Sequence, residues 1–174
     1  MTPIQLLEQK IREIPDFPEP GVVFKDITPL LQDPQSLDLA CELLAAPYRE
    51  RHVDLVVGIE SRGFLFGPAV ARQLGAGFAP ARKSGKLPWQ TVSERYELEY
   101  GTSEIEMHRD AISPEQQVLV VDDLIATGGT AAATVKLIRR MGGHVVATSF
   151  LIELSFLEGR KALAGVEVEA VLTY

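Results

Sequence analysis

Val118-Leu119-Val120-Val121-Asp122-Asp123-Leu124-Ile125-Ala126-Thr127-Gly128-Gly129-Thr130 decides the reading of this chain. An apolar β-branched run stops in two acids, and a small, hydroxyl- and glycine-rich turn then feeds a helix. In open α/β sheets ligands bind beyond the carboxyl ends of the strands, so this is where a site belongs. Ala126, Thr127, Gly128, Gly129 and Thr130 are expected to form a tight turn at a helix start, where free N–H groups and the dipole favour a phosphate. Gly128 and Gly129 allow close approach, and Thr127 and Thr130 supply hydroxyl donors. The turn is short and holds no lysine, which suits a monophosphate. Asp122 and Asp123 repel each other unless a cation or a hydroxyl meets them. A ribose diol and a hydrated Mg²⁺ ion are the natural partners, because Mg²⁺ prefers oxygen and keeps several waters.

Outward from this stretch, apolar strands alternate with amphipathic helices. The run 53–59 reads as a strand buried on both faces, 63–74 as a helix ending at Gly75, and 77–82 as a second strand. Then follow a strand over 115–121, a helix over 130–141 ending at Gly142-Gly143, a strand over 145–154, a short helix over 155–163 and a last strand over 166–173. This alternation predicts an α/β fold, an open and mostly parallel sheet flanked by helices. Ahead of it, Thr2-Pro3-Ile4-Gln5 has the spacing of a capping box. Ile4, Leu7, Ile11 and Ile14 predict one amphipathic helix that stops before Pro15. Pro15, Pro18, Pro20 and Gly21 make a rigid segment, 21–26 reads as a short strand or extended hood, and Asp33-Pro34 opens a helix to about Tyr48. The polar stretch 83–109 fits none of this and is expected to be either disordered or a functional lid.

The 174 residues suit one domain, 1–174. Hydrophobic residues at 46% and charged residues at 24% exclude disorder as a description of the whole. Seventeen Lys and Arg against 24 Asp and Glu give a net charge of −7, which opposes non-specific nucleic-acid binding. The lone Cys41 points to a reducing compartment, hence a cytoplasmic protein, and reads as a small buried hydrophobe. No signal peptide is expected from Met1-Thr2-Pro3-Ile4-Gln5, and no membrane association, since no apolar stretch approaches a span. His52, His108 and His144 lack the partner spacing of a zinc site. The Walker A and dinucleotide glycine patterns both fail: Gly85-Lys86 is followed by Leu87, and Gly75-Ala76-Gly77 lacks a third glycine.

The segment 118–130 resembles the phosphoribosyl pyrophosphate-binding motif of the type I phosphoribosyltransferases. Phe17-Pro18, the segment 20–27, Glu60-Ser61-Arg62-Gly63-Phe64, Arg82-Lys83, Leu98-Glu99-Tyr100-Gly101 and Leu151-Ile152-Glu153-Leu154 are similar to the adenine-using branch of that family, in order and over nearly the whole chain. The resemblance implies transfer of a phosphoribosyl group from phosphoribosyl pyrophosphate to adenine, giving AMP and pyrophosphate, with Mg²⁺ as cofactor and a homodimer as the assembly. Carried onto this sequence, the 5'-phosphate falls to residues 126–130 and the ribose to Asp122 and Asp123. Ser61-Arg62 becomes the pyrophosphate loop, where the family often has a cis peptide. Arg82 and Lys83 are further pyrophosphate or interface contacts, or else a solvated basic pair, and Lys86 is a third cation in the same stretch. The segment 1–32 supplies the N-terminal helix and a hood with Val23 and Phe24, of which Phe24 stacks on the base or belongs to a core. Ile125 is expected to pack on the other side of the base.

Two other readings compete. A relative of the same fold could use hypoxanthine, guanine, xanthine or orotate, against which the hood and the Leu98-Glu99-Tyr100-Gly101 segment argue. A DNA-binding regulator that senses the donor would need an added helix-turn-helix, for which 174 residues leave no room. Glu99 matches the family's acid/base residue, carried over the substrates by closure of a flexible loop within 83–109. Glu99→Gln is therefore expected to lower kcat far more than it weakens nucleotide binding. Near-wild-type turnover in that variant would remove Glu99 from the mechanism.

Overall fold

The Gln5 amide donates to Thr2 Oγ1 at 3.2 Å and the Thr2 amide donates back to Gln5 Oε1 at 2.9 Å. This capping box starts helix α1 (Pro3–Glu8) in the computed structural model, which describes residues 1–98 and 101–174. The chain divides into two compact units, Met1–Leu43 and Leu44–Tyr174.

In the first unit α1 is shorter than its apolar spacing predicts. Ile11 and Ile14 leave the helix, and Ile14 pairs with Phe24 where β1 (Arg12–Pro15) runs antiparallel to β2 (Val23–Asp26). Four apolar positions at helical spacing also fit a short helix followed by a β-branched strand, and cross-strand pairing decides between them. Asp26 fixes this hairpin. Its carboxylate accepts from the Thr28 hydroxyl at 2.6 Å, the Thr28 amide at 2.9 Å and the Arg12 guanidinium at 2.6 Å. The same contacts open a helical turn absent from the sequence reading, α2 (Thr28–Gln32). Asp33 then accepts from the Ser36 amide at 3.0 Å and starts α3 (Pro34–Ala45), followed by a 3₁₀ turn, Ala46–Tyr48.

The second unit holds one seven-stranded sheet. β3 (Leu55–Ile59) is buried at every position, as a central parallel strand must be. Helix α4 (Gly63–Leu74) carries the chain to β4 (Gly77–Lys83), and Gly75 ends the helix in the left-handed region, φ +67°. β5 (Thr91–Leu98) and β6 (Gly101–His108) follow as antiparallel neighbours, then β7 (Gln117–Ile125), α5 (Gly129–Arg140), β8 (His144–Glu153) and β9 (Val168–Thr173). The order is β5-β6-β4-β3-β7-β8-β9, parallel from β4 to β9. The expected short helix over 155–163 is two 3₁₀ turns, Ser155–Leu157 and Gly159–Leu163.

Two departures matter for function. The acids do not end their strand: β7 runs through Asp122 and Asp123 to Ile125 because β8 goes on pairing with it as far as Glu153. The polar stretch after Lys83 is built largely as strand, with Arg82 and Lys83 opposite Glu106 and Ile105. Polar alternation on an edge hairpin lacks the apolar signal by which inner strands are read.

Hydrogen bonds from Thr28 and then Arg12 lower the Asp26 carboxyl to about 2. Its folded-state value lies below the unfolded one, so its stabilisation is full above pH ~4 and is lost as pH falls toward about 2. Asp26→Asn is expected to lower the melting temperature at neutral pH by about 2–4 °C, the shift that ~1 kcal/mol produces in a chain of this size. Thermal melts of both proteins from pH 7 to pH 2 should converge at the acid end.

Candidate active site

From β3 the chain crosses to β4 on one side, while β7 pairs on the other side and leads away to β8 and β9. Such a reversal opens a crevice beyond the carboxyl ends of the two central strands. A cavity of about 380 Å³ lies there, lined by Glu60, Ser61 and Arg62 after β3, Asp122 and Asp123 on β7, Lys83 at the end of β4, and Tyr96 and Thr130. The Glu60–Ser61 peptide is cis.

Arg62 Nε stands 2.8 Å from Asp123 Oδ2, and the Asp123 side chain is only 8% exposed. Arg62 thus pairs with Asp123 across the crevice rather than with its neighbour Glu60. Burial pushes both carboxyls upward, and the charge of Asp123 raises Asp122 further, well above the usual carboxylate range. Arg62 pulls Asp123 back down. Of the two, Asp123 is the one whose charge Arg62 favours more directly. The close fit extends to the backbone: a Cβ on Gly63 would lie 2.8 Å from the Val121 carbonyl oxygen and 3.0 Å from Asp122 Oδ1.

A second cavity, about 120 Å³, lies over the turn 126–130 and the start of α5, with Asp122, Ile125 and Phe150 also on its wall. The first N–H groups of α5 have no intrahelical acceptor, and no acidic residue occupies its first turn. The cradle is thus a cluster of donors without a built-in anion. Gly128 is left-handed at φ +82°, and a Cβ there would lie 2.4 Å from the Gly159 carbonyl oxygen. The turn between β8 and β9 is therefore pressed against the back of the cradle. Ile125 is 2% exposed and belongs largely to the core, though it reaches this cavity wall.

The basic residues do not stand free. Glu60, 7% exposed at its side chain, accepts from Arg82 Nε at 3.3 Å, from the Lys83 amide at 2.9 Å and from Lys86 Nζ at 2.5 Å. Burial raises its carboxyl, but Lys86, the Lys83 amide and Arg82 outweigh burial and hold it below the ordinary range. Arg82 also donates to the Lys86 carbonyl and lies over the Phe64 ring at 5.9 Å. Of the three predicted cations, Lys83 lines the crevice, while Arg82 and Lys86 are gathered on Glu60. Sequence reasoning passed over Glu60, whose only signal was its place one residue beyond a buried strand. It also passed over Tyr96, which lines the crevice and accepts the Thr130 hydroxyl at 3.2 Å.

In the N-terminal unit Val23 is 48% exposed, and Phe24 meets the exposed ring of Phe17 edge to face at 5.2 Å. This is an apolar surface of the kind a flat base takes. Glu99 lies outside the described residues. Among the described residues no group of three or more His, Cys, Asp or Glu is placed to hold a metal ion, and no helix is long and apolar enough to cross a membrane.

A carboxyl pair near the end of β7 followed by a glycine turn and a helix start is the local arrangement of an α/β phosphoribosyl transferase domain, and the phosphoribosyl transferase domain family matches residues 26–163. The adenine phosphoribosyltransferase of Thermobifida fusca is 56% identical over 168 residues, 97% of this chain and 96% of its own. The crystal structure of the Rhodothermus marinus adenine phosphoribosyltransferase superposes with a TM-score of 0.94 at 57% identity, covering 99% of this chain and 98% of that one. The Saccharomyces cerevisiae enzyme, solved with an imino-altritol bisphosphate and adenine, gives 0.90 at 40% identity over 97% and 98%. The chain belongs to the adenine phosphoribosyltransferase family.

Gly128→Ala combines a left-handed backbone with a contact no Cβ can make. It is expected to cost ~1–3 kcal/mol in urea unfolding and to weaken phosphate binding at the cradle. Unchanged stability would mean that the turn after β8 is not held against it.

Proposed function

We infer that this chain transfers the 5-phosphoribosyl group of phosphoribosyl pyrophosphate to adenine, releasing pyrophosphate and forming AMP, a reaction of purine salvage. The observation that carries the reading is the continuity of the phosphate cradle with the Asp122–Asp123 pair at the reversal of the sheet. One ligand with a phosphate at one end and a hydroxylated ring beside it spans both.

The C1–oxygen bond of the donor breaks with its electron pair leaving on pyrophosphate, and adenine N9 forms the new bond to C1. The amides and hydroxyls of 126–130 hold the 5'-phosphate. Asp122 and Asp123 accept from the ribose hydroxyls, and their negative charge favours the cationic ribosyl group that develops. Ser61 and Arg62 receive the pyrophosphate with Lys83. Arg82 and Lys86 join them by exchanging Glu60 for a phosphate oxygen. Glu99 holds the proton that adenine gives up. Movement of the β5–β6 hairpin admits substrate and then excludes water.

The oxygen donors of the crevice are the carboxyls of Asp122, Asp123 and Glu60, the last engaged by Arg82 and Lys86, and the hydroxyls of Ser61, Tyr96 and Thr130, a hard set that suits Mg²⁺ kept on substrate and water rather than in a protein cage. Asp122 and Asp123 would hold it through water, and when bound it supplies neutralisation of the pyrophosphate charge. A homodimer with Arg82 near the interface, and a cytoplasmic location fitting the lone Cys41, complete the proposal.

Purified protein with Mg²⁺, phosphoribosyl pyrophosphate and each of adenine, hypoxanthine, guanine, xanthine and orotate should release pyrophosphate with adenine alone, and no release with adenine would overturn the reading. Burial and the charge of Asp123 raise the Asp122 carboxyl, and its ionised form is the better acceptor for a ribose hydroxyl, so KM for the donor should fall as pH rises above the usual carboxylate range. Asp122→Asn should raise that KM and flatten its pH dependence. The same substitution should raise the melting temperature of the free protein at neutral pH, since a buried acid whose value is raised in the folded state costs stability once ionised. An unchanged KM would sink the ribose assignment.

A further inference from the structure

We propose that Tyr96 is a phosphate ligand carried on β5: its hydroxyl joins the 126–130 cradle as an additional donor to the 5'-phosphate. The proposal rests on the phosphate reading of that cradle and extends it to a residue of the edge hairpin.

Tyr96 is half-buried between the exposed Arg95 and Glu97 of β5, packs against the core, and lines the crevice together with Thr130, Asp122 and Arg62. Thr130 Oγ1 stands 3.2 Å from the Tyr96 hydroxyl oxygen. The ring lies against the helix start, with Cδ2 3.7 Å from where a Cβ of Gly129 would be. This placement is fixed by more than one contact. Arg140, at the far end of α5, bonds Glu94 Oε2 at 2.6 Å and the Ser93 carbonyl, clamping β5 along the helix on which the cradle is built.

The hydrogen-bond count supplies the chemistry. Tyr96 and Thr130 bring two O–H groups and share one bond, so one hydroxyl proton has no acceptor among the described residues. It is held at a helix start whose N–H groups are also without acceptors and whose first turn carries no acid. An anion with several acceptor oxygens completes every one of these groups at once. A phosphate dianion on the cradle takes the Thr130 proton, and Tyr96 then turns its own O–H to a second phosphate oxygen. The Thr130–Tyr96 bond thus keeps both hydroxyls in place until the phosphate arrives, and phosphate binding holds β5 against α5.

The test compares wild type with Tyr96→Phe, which keeps the ring and its packing and removes only the hydroxyl. Binding of ribose 5-phosphate and of pyrophosphate is measured by titration calorimetry, and steady-state kinetics are taken with phosphoribosyl pyrophosphate. Ribose 5-phosphate should bind about tenfold more weakly to the variant, as expected for one lost hydrogen bond to a charged group, while pyrophosphate affinity stays within twofold. KM for the donor should rise by a similar factor, with kcat changed less. Equal ribose 5-phosphate affinity in the two proteins would overturn the role of Tyr96 and leave the cradle standing. Equal weakening of both ligands would assign Tyr96 to the packing of the hairpin instead. Failure of wild type to bind ribose 5-phosphate would overturn the cradle itself, and the Tyr96 proposal with it.

Discussion

The ion pair between Arg62 and Asp123 is the contact on which the rest of the site depends. It joins the end of β3 to β7 at the point where the sheet reverses direction, the one place where two parallel strands diverge without a crossover between them. It also makes Asp122 and Asp123 tolerable side by side. Each carboxylate raises the cost of ionising the other, and the Arg62 guanidinium offsets that cost most directly at Asp123. The absent side chain of Gly63 lets α4 approach β7 closely enough for the pair to form. Strand order, helix packing and protonation state thus converge on a single contact.

The charge arrangement explains how a chain of net charge −7 presents a site for a polyanion. Three of the candidate cations meet acids in the free protein: Arg62 pairs with Asp123, and Arg82 and Lys86 share Glu60. These acids hold the basic side chains at the crevice and spare the fold an accumulation of unpaired positive charge. A phosphate group competes with them on favourable terms, because it offers more acceptor oxygens than one carboxylate and brings its own counter-charge. The cradle works on the opposite principle. Its donors are backbone amides and hydroxyls, which carry no net charge and need no partner acid, so the helix start stays open.

The inner sheet and its ligand edge were legible in the sequence because burial on both faces leaves a continuous apolar run, and the sequence order of strand, acid pair, glycine turn and helix survives folding unchanged. The cradle at 126–130 and the acids at 122 and 123 are local in the chain, so their grouping needed no tertiary information. What was not legible depended on partners distant in sequence. Ile11 lies between helix and strand, and Ile14 belongs to a strand only because β2 pairs with it. Glu60 gathers cations 22 and 26 residues away, and Tyr96 meets Thr130 across 34 residues. Ile125, which local order placed beside the base, is mostly enclosed by Gly159 and the core. Val23 and Phe24, read from sequence as part of a hood with Phe24 stacked on a base or in a core, belong to the first unit, where Val23 is exposed and Phe24 packs edge to face on Phe17.

The polar stretch after Lys83 looked like a gap in the fold because hydropathy reports only what is shielded from water. Its strands are held in two ways: Ile105 and Met107 of β6 enter the core, with Val92 and Tyr96 of β5 packed against it, and polar contacts add Arg140 on Glu94 and Ser93, Ser93 on Glu104, and Arg82 and Lys83 in register with β6. Such contacts are individually weak in water and exchangeable, whereas the apolar core of β3 and β7 is not. The polar contacts set the register at the edge of the sheet, while burial of Ile105 and Met107 ties β6 to the central strands. Two buried positions two residues apart are too short an apolar signal to reveal a strand inside a polar stretch, which is what hid this hairpin in the sequence.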